Sequence, residues 1–231
     1  MPAASGKEQA REAGITMNAA PVYRYRIRYS KDEAVRYISH LDLQRTWERI
    51  FRRAAIPLAF TQGYHPHPRL NLGLALALGW TSECELLDVW LSEEMPAEDL
   101  ERRLSAALPP GLPVHSITPL PSNSPKPQKQ IRAASYRAVL PEDNKIQDLQ
   151  KRIDHFLSEE TVNRERRGKT YDLRPLVLSL EYEPQDNRPG ELVMTLSAKP
   201  SATGRPDEVL LALSFDPLSS DIRRTALILN K

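Results

Sequence analysis

The order of strand-type and helix-type segments is the feature that most limits the folds open to this chain. A strand, a helix, two strands, a second helix and a last strand follow one another, and the same order then repeats. Tyrosines and Ile27 alternate with arginines over residues 23–29, which predicts the first strand. The first helix is expected from His40 to about Ala55, after a Ser39–Asp42 capping pair. This order predicts an α+β protein with two tandem ferredoxin-like (βαββαβ) units.

The remaining elements are predicted from the same two periods of hydrophobicity. In the first half we expect strands at 57–60, 70–78, 85–91 and 112–117, and a helix at 96–108. In the second half we expect strands at 136–140, from 161 to 164, 174–183, 191–199 and 225–229, and helices at 141–157 and 206–213.

Composition divides the chain into four parts. Residues 1–21 are small, polar and aperiodic, which predicts a disordered tail in which Met17 is an alternative start to Met1. Proline, serine and lysine dominate residues 119–134, which predicts a linker. The first unit is therefore expected at residues 22–118 and the second at residues 135–231.

Composition also excludes several classes of site. Cys84 is the only cysteine, so no disulfide framework, cysteine-based zinc site or cysteine-ligated iron–sulfur cluster can form. The longest apolar run, from Leu70 to Trp80, is too short to span a membrane. The N-terminal residues lack the apolar core of a secretory signal. We therefore expect a cytoplasmic protein with no membrane partner, no metal and no cofactor.

Clustered arginines are the main candidate functional groups, although the net charge is only +2. Arginine forks match phosphate oxygens, and a ferredoxin-like sheet leaves one face open to present them. Segment 164–169 adds a cationic hairpin tip in the second half. The alternative is a set of solvated faces paired with nearby carboxylates. The predicted RNA-binding residues are Arg24, Arg26, Arg28, Arg45, Arg49, Arg69, Arg164, Arg166, Arg167, Lys169, Arg174 and Arg205.

Histidines supply the only candidate catalytic groups, His40 and His65. His40 lies at the start of the first helix, where the helix dipole disfavours its protonated form, so it is a candidate general base on a ribose hydroxyl. His65 and His67 alternate with prolines in a stiff loop, and two histidines are too few for a structural zinc site. A packing role for His40 and a surface loop for His65 are the alternatives.

Several of these segments resemble one bacterial family, the radical-SAM-linked proteins of unknown function. The resemblance covers about residues 23–229 and depends on five motifs: Tyr37–Leu43, Gln62–Pro68, Leu76–Gly79 with Ser82-Glu83, Arg164–Pro175, and Gly204-Arg205-Pro206. The family usually has Gly-Phe-Asn-Pro after the glutamine, where this chain has Tyr64 and His65. The resemblance implies a radical S-adenosylmethionine enzyme, encoded nearby or fused, as the partner.

Three functions remain open at this point. The first is a non-catalytic RNA-binding module that recognises a structured RNA. The second is a protein-interaction subunit that docks the radical S-adenosylmethionine enzyme. The third is a metal-independent ribonuclease that uses His40 or His65. Whether the protein is an enzyme is therefore left undecided by the sequence.

Overall fold

The computed structural model describes residues 22–141, 146–186 and 188–230. Within these ranges the chain forms five α-helices and eleven strands, and nine of the strands make one mostly antiparallel sheet. The mixed α and β class is thereby confirmed. The predicted tail at residues 1–21 lies outside the described residues, as do residues 142–145 of the helix predicted at 141–157.

The first half supplies one side of the sheet. Its elements are β1 (Tyr23–Lys31), α1 (His40–Arg53), β2 (Leu70–Leu72), β3 (Thr81–Leu91), α2 (Ala97–Ser105) and β4 (Val114–Leu120). The strands lie in the order β4–β1–β3–β2, and each adjacent pair is antiparallel. Ser39 is the N-cap of α1, because its hydroxyl oxygen accepts a hydrogen bond from the Asp42 amide at 3.2 Å.

The second half supplies the other side. Its elements are α3 (Pro127–Gln130), β5 (Ile131–Val139), α4 (Leu149–Ser158), β6 (Asn163–Arg166), β7 (Lys169–Asp172), β8 (Val177–Gln185), β9 (Arg188–Lys199), β10 (Ala202–Thr203), α5 (Pro206–Ala212) and β11 (Asp221–Leu229). The four long strands lie in the order β11–β5–β9–β8, while β6 and β7 form a separate hairpin. A short parallel pairing of β11 with β3, at Arg223–Thr81 and Arg224–Ser82, joins the two halves.

Each half buries its own apolar cluster. In the first half Ile27 of β1 packs with Trp47 and Phe51 of α1, and all three side chains are fully buried. In the second half Tyr136 and Met194 pack with the inward residues of α4 and α5. Burying each large apolar side chain contributes about 1.5–3 kcal/mol, so these two clusters hold the helices against the sheet.

The strand predicted at residues 70–78 is the main local error, because it ends at Leu72. The amide of Gly73 still donates to the Leu86 carbonyl at 2.7 Å, but the chain then leaves the sheet. Beyond that point the carbonyl oxygens of Leu74 and Ala75 accept hydrogen bonds from the Arg224 guanidinium at 3.0 and 2.9 Å. The Arg224 side chain, from β11, therefore takes the place of the neighbouring strand that we expected to pair with residues 74–75.

Other boundaries shift by smaller amounts. Segment 57–60 forms only isolated bridges rather than a strand, because Leu58 pairs with Leu91 whereas Phe60 pairs with Pro68, in a different segment. The strand predicted from residue 161 is the hairpin strand β6, and residues 174–176 form a 3₁₀ turn before β8. The helix predicted at 96–108 is α2, with Pro96 as its N-cap.

The predicted linker is shorter than expected and packs on the sheet. β4 extends to Leu120 and β5 begins at Ile131, which leaves residues 121–130 as the connection. This connection crosses the face of the first-half sheet opposite α1. Its carbonyls at Ser124 and Pro125 accept hydrogen bonds from Arg24, and the Gln128 side-chain amide donates to the Leu72 carbonyl.

Candidate functional site

The arginines of β1 lie on the predicted face, but two of them, Arg24 and Arg26, meet a carboxylate instead of solvent. The register of β1 with β3 places Arg26 opposite Asp88 and Arg24 opposite Trp90. Asp88 is 0% exposed and accepts hydrogen bonds from both guanidinium groups, at 2.7 Å from Arg26 Nε and 3.1 Å from Arg24 Nε. Arg24 also lies over the Trp90 ring, with its Cζ atom 4.8 Å from the ring centroid.

The predicted open stripe of three arginines is therefore wrong. Arg24 is 3% exposed, so a phosphate cannot reach it, and Arg26 is held between Asp88 and the Gln130 side chain. Only Arg28 is exposed. The physical reason is the connection at 121–130, which covers this face and supplies carbonyl oxygens to the two arginines.

The remaining first-half cations do not converge. Arg45 pairs with Asp42 one turn earlier on α1 at 3.2 Å, and Arg49 is exposed on the same helix. Arg69 lies over the same Trp90 ring as Arg24, with its Cζ atom 5.1 Å from the ring centroid. Arg45 and Arg49 thus lie one turn apart on α1, whereas Arg28 belongs to β1 and Arg69 contacts Trp90 of β3.

A polar cavity of about 10 Å³ lies under the N-terminus of α1. Four polar side chains, Tyr29, Lys31, His40 and Glu85, line it together with aliphatic residues. Its size matches a single water molecule. The Lys31 ammonium donates to the carbonyls of Arg36 and Trp80 at 2.7 and 2.9 Å. An ammonium group has three donors, so one remains for the cavity.

Burial sets the electrostatics of this cavity. It lowers the pKa of Lys31 to about 8, although the nearby Glu85 carboxylate acts in the opposite direction. Burial also raises the pKa of Tyr29 well above its usual value, and Glu85 adds to that effect. The carboxylate of Glu85 forms a buried ion pair with Arg224 at 2.6 Å. Burial acts to lower the pKa of Arg224, but Glu85 and Tyr136 together raise it above its usual value. This ion pair links β3 of the first half to β11 of the second.

Lys31 and Glu85 were not predicted from the sequence, although the position of Lys31 along β1 indicated a buried polar group. Lys31 lies two residues after Tyr29 on β1, as Tyr29 does after Ile27. Because side chains alternate between the two faces of a strand, Lys31 is expected on the face that the helices cover. A cation at an inward position of a strand indicates a buried polar group. His40, in contrast, was predicted as a candidate base. It is half-buried and lines this cavity of about 10 Å³, and its catalytic role stays a prediction.

The cationic hairpin of the second half forms as the sequence predicts. Residues Arg166 and Lys169 pair at the end of the hairpin, and Arg167 and Gly168 make its tip. Both tip residues have positive φ angles, 51° and 72°, as expected for a type I′ turn. This turn presents the side chains on either side of the tip to solvent.

A cleft of about 510 Å³ lies between this hairpin and the segment that precedes α5. We call it the cationic cleft, because Arg166, Arg167, Lys169 and Arg205 line it. Arg205 pairs with Asp207 at 2.7 Å, and Arg166 lies 3.9 Å from the carboxylate of Glu208. The Nε atom of Arg164 is closer to the Glu208 carboxylate, at 3.2 Å. Arg167 and Lys169 have no carboxylate partner among the described residues.

Arg174 has a structural role and does not line the cationic cleft. Its guanidinium donates to the carbonyl of Leu157 at the end of α4, at 3.0 and 3.2 Å, and to the carbonyl of Val177 at 3.1 Å. Asp172 accepts hydrogen bonds from the amides of Val162 and Arg174. These carbonyls take three of the five N–H donors of Arg174, and its contact with RNA stays a prediction. The Asp172–Pro175 motif thus fastens α4 to β8.

The histidine loop provides no metal site. Tyr64, His65 and His67 are exposed, and the Tyr64 and His65 rings meet edge to face at 4.8 Å. Among the described residues, no three histidine, cysteine or carboxylate side chains are placed to hold a metal ion. Cys84 is half-buried, and burial raises the pKa of its thiol to about 11. None of the helices in the described ranges is long and apolar enough to cross a membrane.

Comparison with known proteins identifies a family. None of the curated proteins matches this chain. Among solved structures, the chain is similar to a protein assigned as a glycine cleavage system transcriptional repressor, at 10% identity and a TM-score of 0.23 over 90% of this chain and 99% of that one. A family model described as an uncharacterised protein conserved in bacteria matches residues 24–206. The chain therefore belongs to this family of bacterial proteins, DUF2344.

Proposed function

We propose that the protein binds RNA through the cationic cleft. One observation carries the proposal: cations from two separate segments, the hairpin and the residues before α5, face one open space of about 510 Å³. Tyr171, which is half-buried, lines the same space and adds an aromatic surface. Cations interleaved with an aromatic side chain are typical of surfaces that bind nucleic-acid backbones.

The charge balance of the cleft favours a polyanion. Asp172 also lines the cleft, and Asp207 and Glu208 pair with two of its arginines, whereas Arg167 and Lys169 are exposed and have no carboxylate partner among the described residues. Arginine binds phosphate oxygens bidentately, and lysine supplies a compact second charge. The proposal is narrower than the sequence prediction, because it uses the second half alone and leaves Arg24, Arg26 and Arg174 out.

The topology of the two halves supports a binding site at the β6–β7 hairpin. We propose that both halves are ferredoxin-like units, since each orders its strands as fourth, first, third and second of a βαββαβ unit. In the second unit the β6–β7 hairpin is an insertion between the helix and the second strand. Insertions of this kind carry binding residues more often than the scaffold does. We expect binding in the cytoplasm, where the single thiol of Cys84 stays reduced.

A charge-neutralisation experiment tests the proposal. Arg167→Gln/Lys169→Gln removes two unpaired cations from the cleft and leaves the hairpin turn at Gly168 intact. Arg49→Gln/Arg52→Gln is the matched control, because it removes the same charge from exposed positions on α1. Binding of a fluorescein-labelled single-stranded RNA of random sequence is measured by anisotropy at several salt concentrations.

The two variants have different expected outcomes. Each lost phosphate contact weakens binding across all sequences and reduces the salt slope by about 0.7 on a single strand. We expect this loss for the cleft variant and near wild-type binding for the α1 control. Absence of binding by the wild-type protein, or equal losses in the two variants, would overturn the proposal.

A second candidate function is docking of a radical S-adenosylmethionine enzyme encoded nearby. The observation that favours it is the exposed side chain of Leu178, which is 59% exposed in a depression of about 340 Å³ that Ile228, Arg132 and Lys199 also line. Co-purification with the neighbouring enzyme after nuclease treatment, and its loss in Leu178→Asp, would support this function. Retention of the complex by that variant would count against this depression as the docking surface.

A further inference from the structure

A second open groove lies beside the cationic cleft, at the junction of the two halves. It has a volume of about 460 Å³ and is lined by Tyr37, Leu78 and Trp80 from the first half and by Leu218 and Asp221 from the second. Tyr37 is 71% exposed and Leu218 is 95% exposed. We call this space the aromatic groove.

The groove and the cleft share a wall. Arg205 lines the cationic cleft, and its Cζ atom lies 5.7 Å from the ring centroid of Trp80, which lines the aromatic groove. Trp80 is in turn fixed from below by an edge-to-face contact with Tyr136 at 6.1 Å. A chain molecule that leaves the cleft at Arg205 therefore meets the aromatic groove next.

Tyr37 is held in place although it is exposed. The Arg36 guanidinium lies over its ring at 5.2 Å, and the same guanidinium donates to the Gly79 carbonyl at 2.8 Å and to Asp221 at 2.9 Å. Gly79 has a φ angle of 81° and lies beside the Tyr37 ring edge. The ring is thus supported by Arg36 and Gly79 and remains largely open to solvent elsewhere.

The charges of the groove suit a neutral, flat ligand better than a phosphate. Its one cation, Arg36, is already paired with Glu33 at 2.8 Å and with Asp221. The carboxylate of Asp221 is exposed and accepts hydrogen bonds, as an exocyclic amino group or ring N–H of a base requires. An added phosphate would meet the Asp221 carboxylate, whereas a nucleobase would meet an aromatic ring and a hydrogen-bond acceptor.

We propose that the aromatic groove takes an unpaired base of a single-stranded RNA whose phosphates lie in the cationic cleft. The base stacks on Tyr37, and Trp80 with Arg205 forms the passage between the two sites. This inference rests on the proposed function and adds the class of RNA. Bases of a duplex are already paired and stacked, so a duplex can use the cleft but not the groove.

The test compares two variants of Tyr37 on two RNAs. Tyr37→Ala removes the stacking surface, while Tyr37→Phe keeps it and removes only the hydroxyl. We expect Tyr37→Ala to bind a fluorescein-labelled random single-stranded RNA about tenfold more weakly. We expect Tyr37→Phe to bind it like the wild-type protein, and neither variant to change binding of the corresponding duplex. Urea unfolding of each variant checks that this exposed position leaves the fold intact.

Failure of this inference differs from failure of the proposed function. If the cleft variant loses single-stranded RNA and Tyr37→Ala does not, the groove does not bind a base and the inference is overturned, which leaves the groove for a protein partner. If the wild-type protein binds neither RNA, the proposed function fails first. Equal losses on single strand and duplex for Tyr37→Ala would also contradict base stacking.

Discussion

Replacing Asp88 by asparagine tests whether the face opposite α1 depends on one buried carboxylate. Asp88 lies between Arg24 and Arg26, and its two oxygens accept four hydrogen bonds from their guanidinium groups. Asparagine keeps the size of the side chain but offers one acceptor oxygen and places an NH₂ group against guanidinium donors. The charge that balances two arginines is lost with no change in volume.

The expected cost follows from the burial of the partners. The side chains of Arg24 and Asp88 are 2% and 0% exposed, so water cannot replace the lost carboxylate. Breaking a buried ion pair by removing one partner costs about 3–5 kcal/mol. Stacking of Arg24 on Trp90 and its hydrogen bond to the Pro125 carbonyl at 2.8 Å persist, which favours the lower end of that range. The connection at 121–130 is expected to loosen first.

Urea unfolding followed by tryptophan fluorescence measures this cost. Glu83→Gln is the matched control, because it makes the same carboxylate-to-amide change on the same strand in a half-exposed pair with Arg223 at 3.1 Å. That control is expected to lose about 0–1 kcal/mol. Asp88→Asn with Arg24→Met is expected to regain part of the loss, since it removes a buried unpaired charge. If Asp88→Asn is as stable as Glu83→Gln, the reasoning is refuted.

Three further predictions concern the cavity, the hairpin and Arg174. Because folding lowers the pKa of Lys31 from 10.5 to about 8, the unfolded chain holds this proton more tightly, so the stability of the wild-type protein relative to Lys31→Met rises between pH 8 and 10.5. The rise is at most about 3 kcal/mol, and urea unfolding at pH 7 and 10 measures it; a constant difference would contradict the buried ammonium. Gly168→Val places a branched side chain at a φ angle of 72°, at a cost of about 1–2 kcal/mol, and should weaken RNA binding in anisotropy by distorting the hairpin tip. Arg174→Met should lower the free energy of unfolding by about 1–3 kcal/mol while RNA affinity stays unchanged, and a selective loss of affinity would return Arg174 to the binding surface.

Local patterns predicted much of the fold. The alternation of Tyr25 and Ile27 with arginines predicted β1. The capping residue Ser39 correctly predicted that α1 begins at His40. Segment 73–80 was missed because its carbonyls bind Arg224 and Lys31, which come from the last and first strands of the sheet. No periodicity within the segment records those distant partners.

The candidate site was predictable only where it is local in sequence. The hairpin tip at Arg167 and Gly168 is a short-range turn, so its residues alone indicated an exposed cationic surface. The fate of Arg24 and Arg26 depended on the register of β1 with β3, which sets Asp88 between them. A one-residue slip would have turned that carboxylate to the other face, and sequence patterns do not determine register across the 62 residues between Arg26 and Asp88.

The most direct test of RNA binding by the cationic cleft is the slope of the logarithm of the binding constant against the logarithm of salt concentration. The cleft offers two cations without a carboxylate partner among the described residues, Arg167 and Lys169, and two paired ones, Arg166 and Arg205. Single strands contribute about −0.7 per neutralised phosphate, so two to four contacts predict a slope of about −1.5 to −3 for the wild-type protein. We expect the slope to become shallower in Arg167→Gln/Lys169→Gln. A wild-type slope near zero, or the same slope in both proteins, would contradict the account.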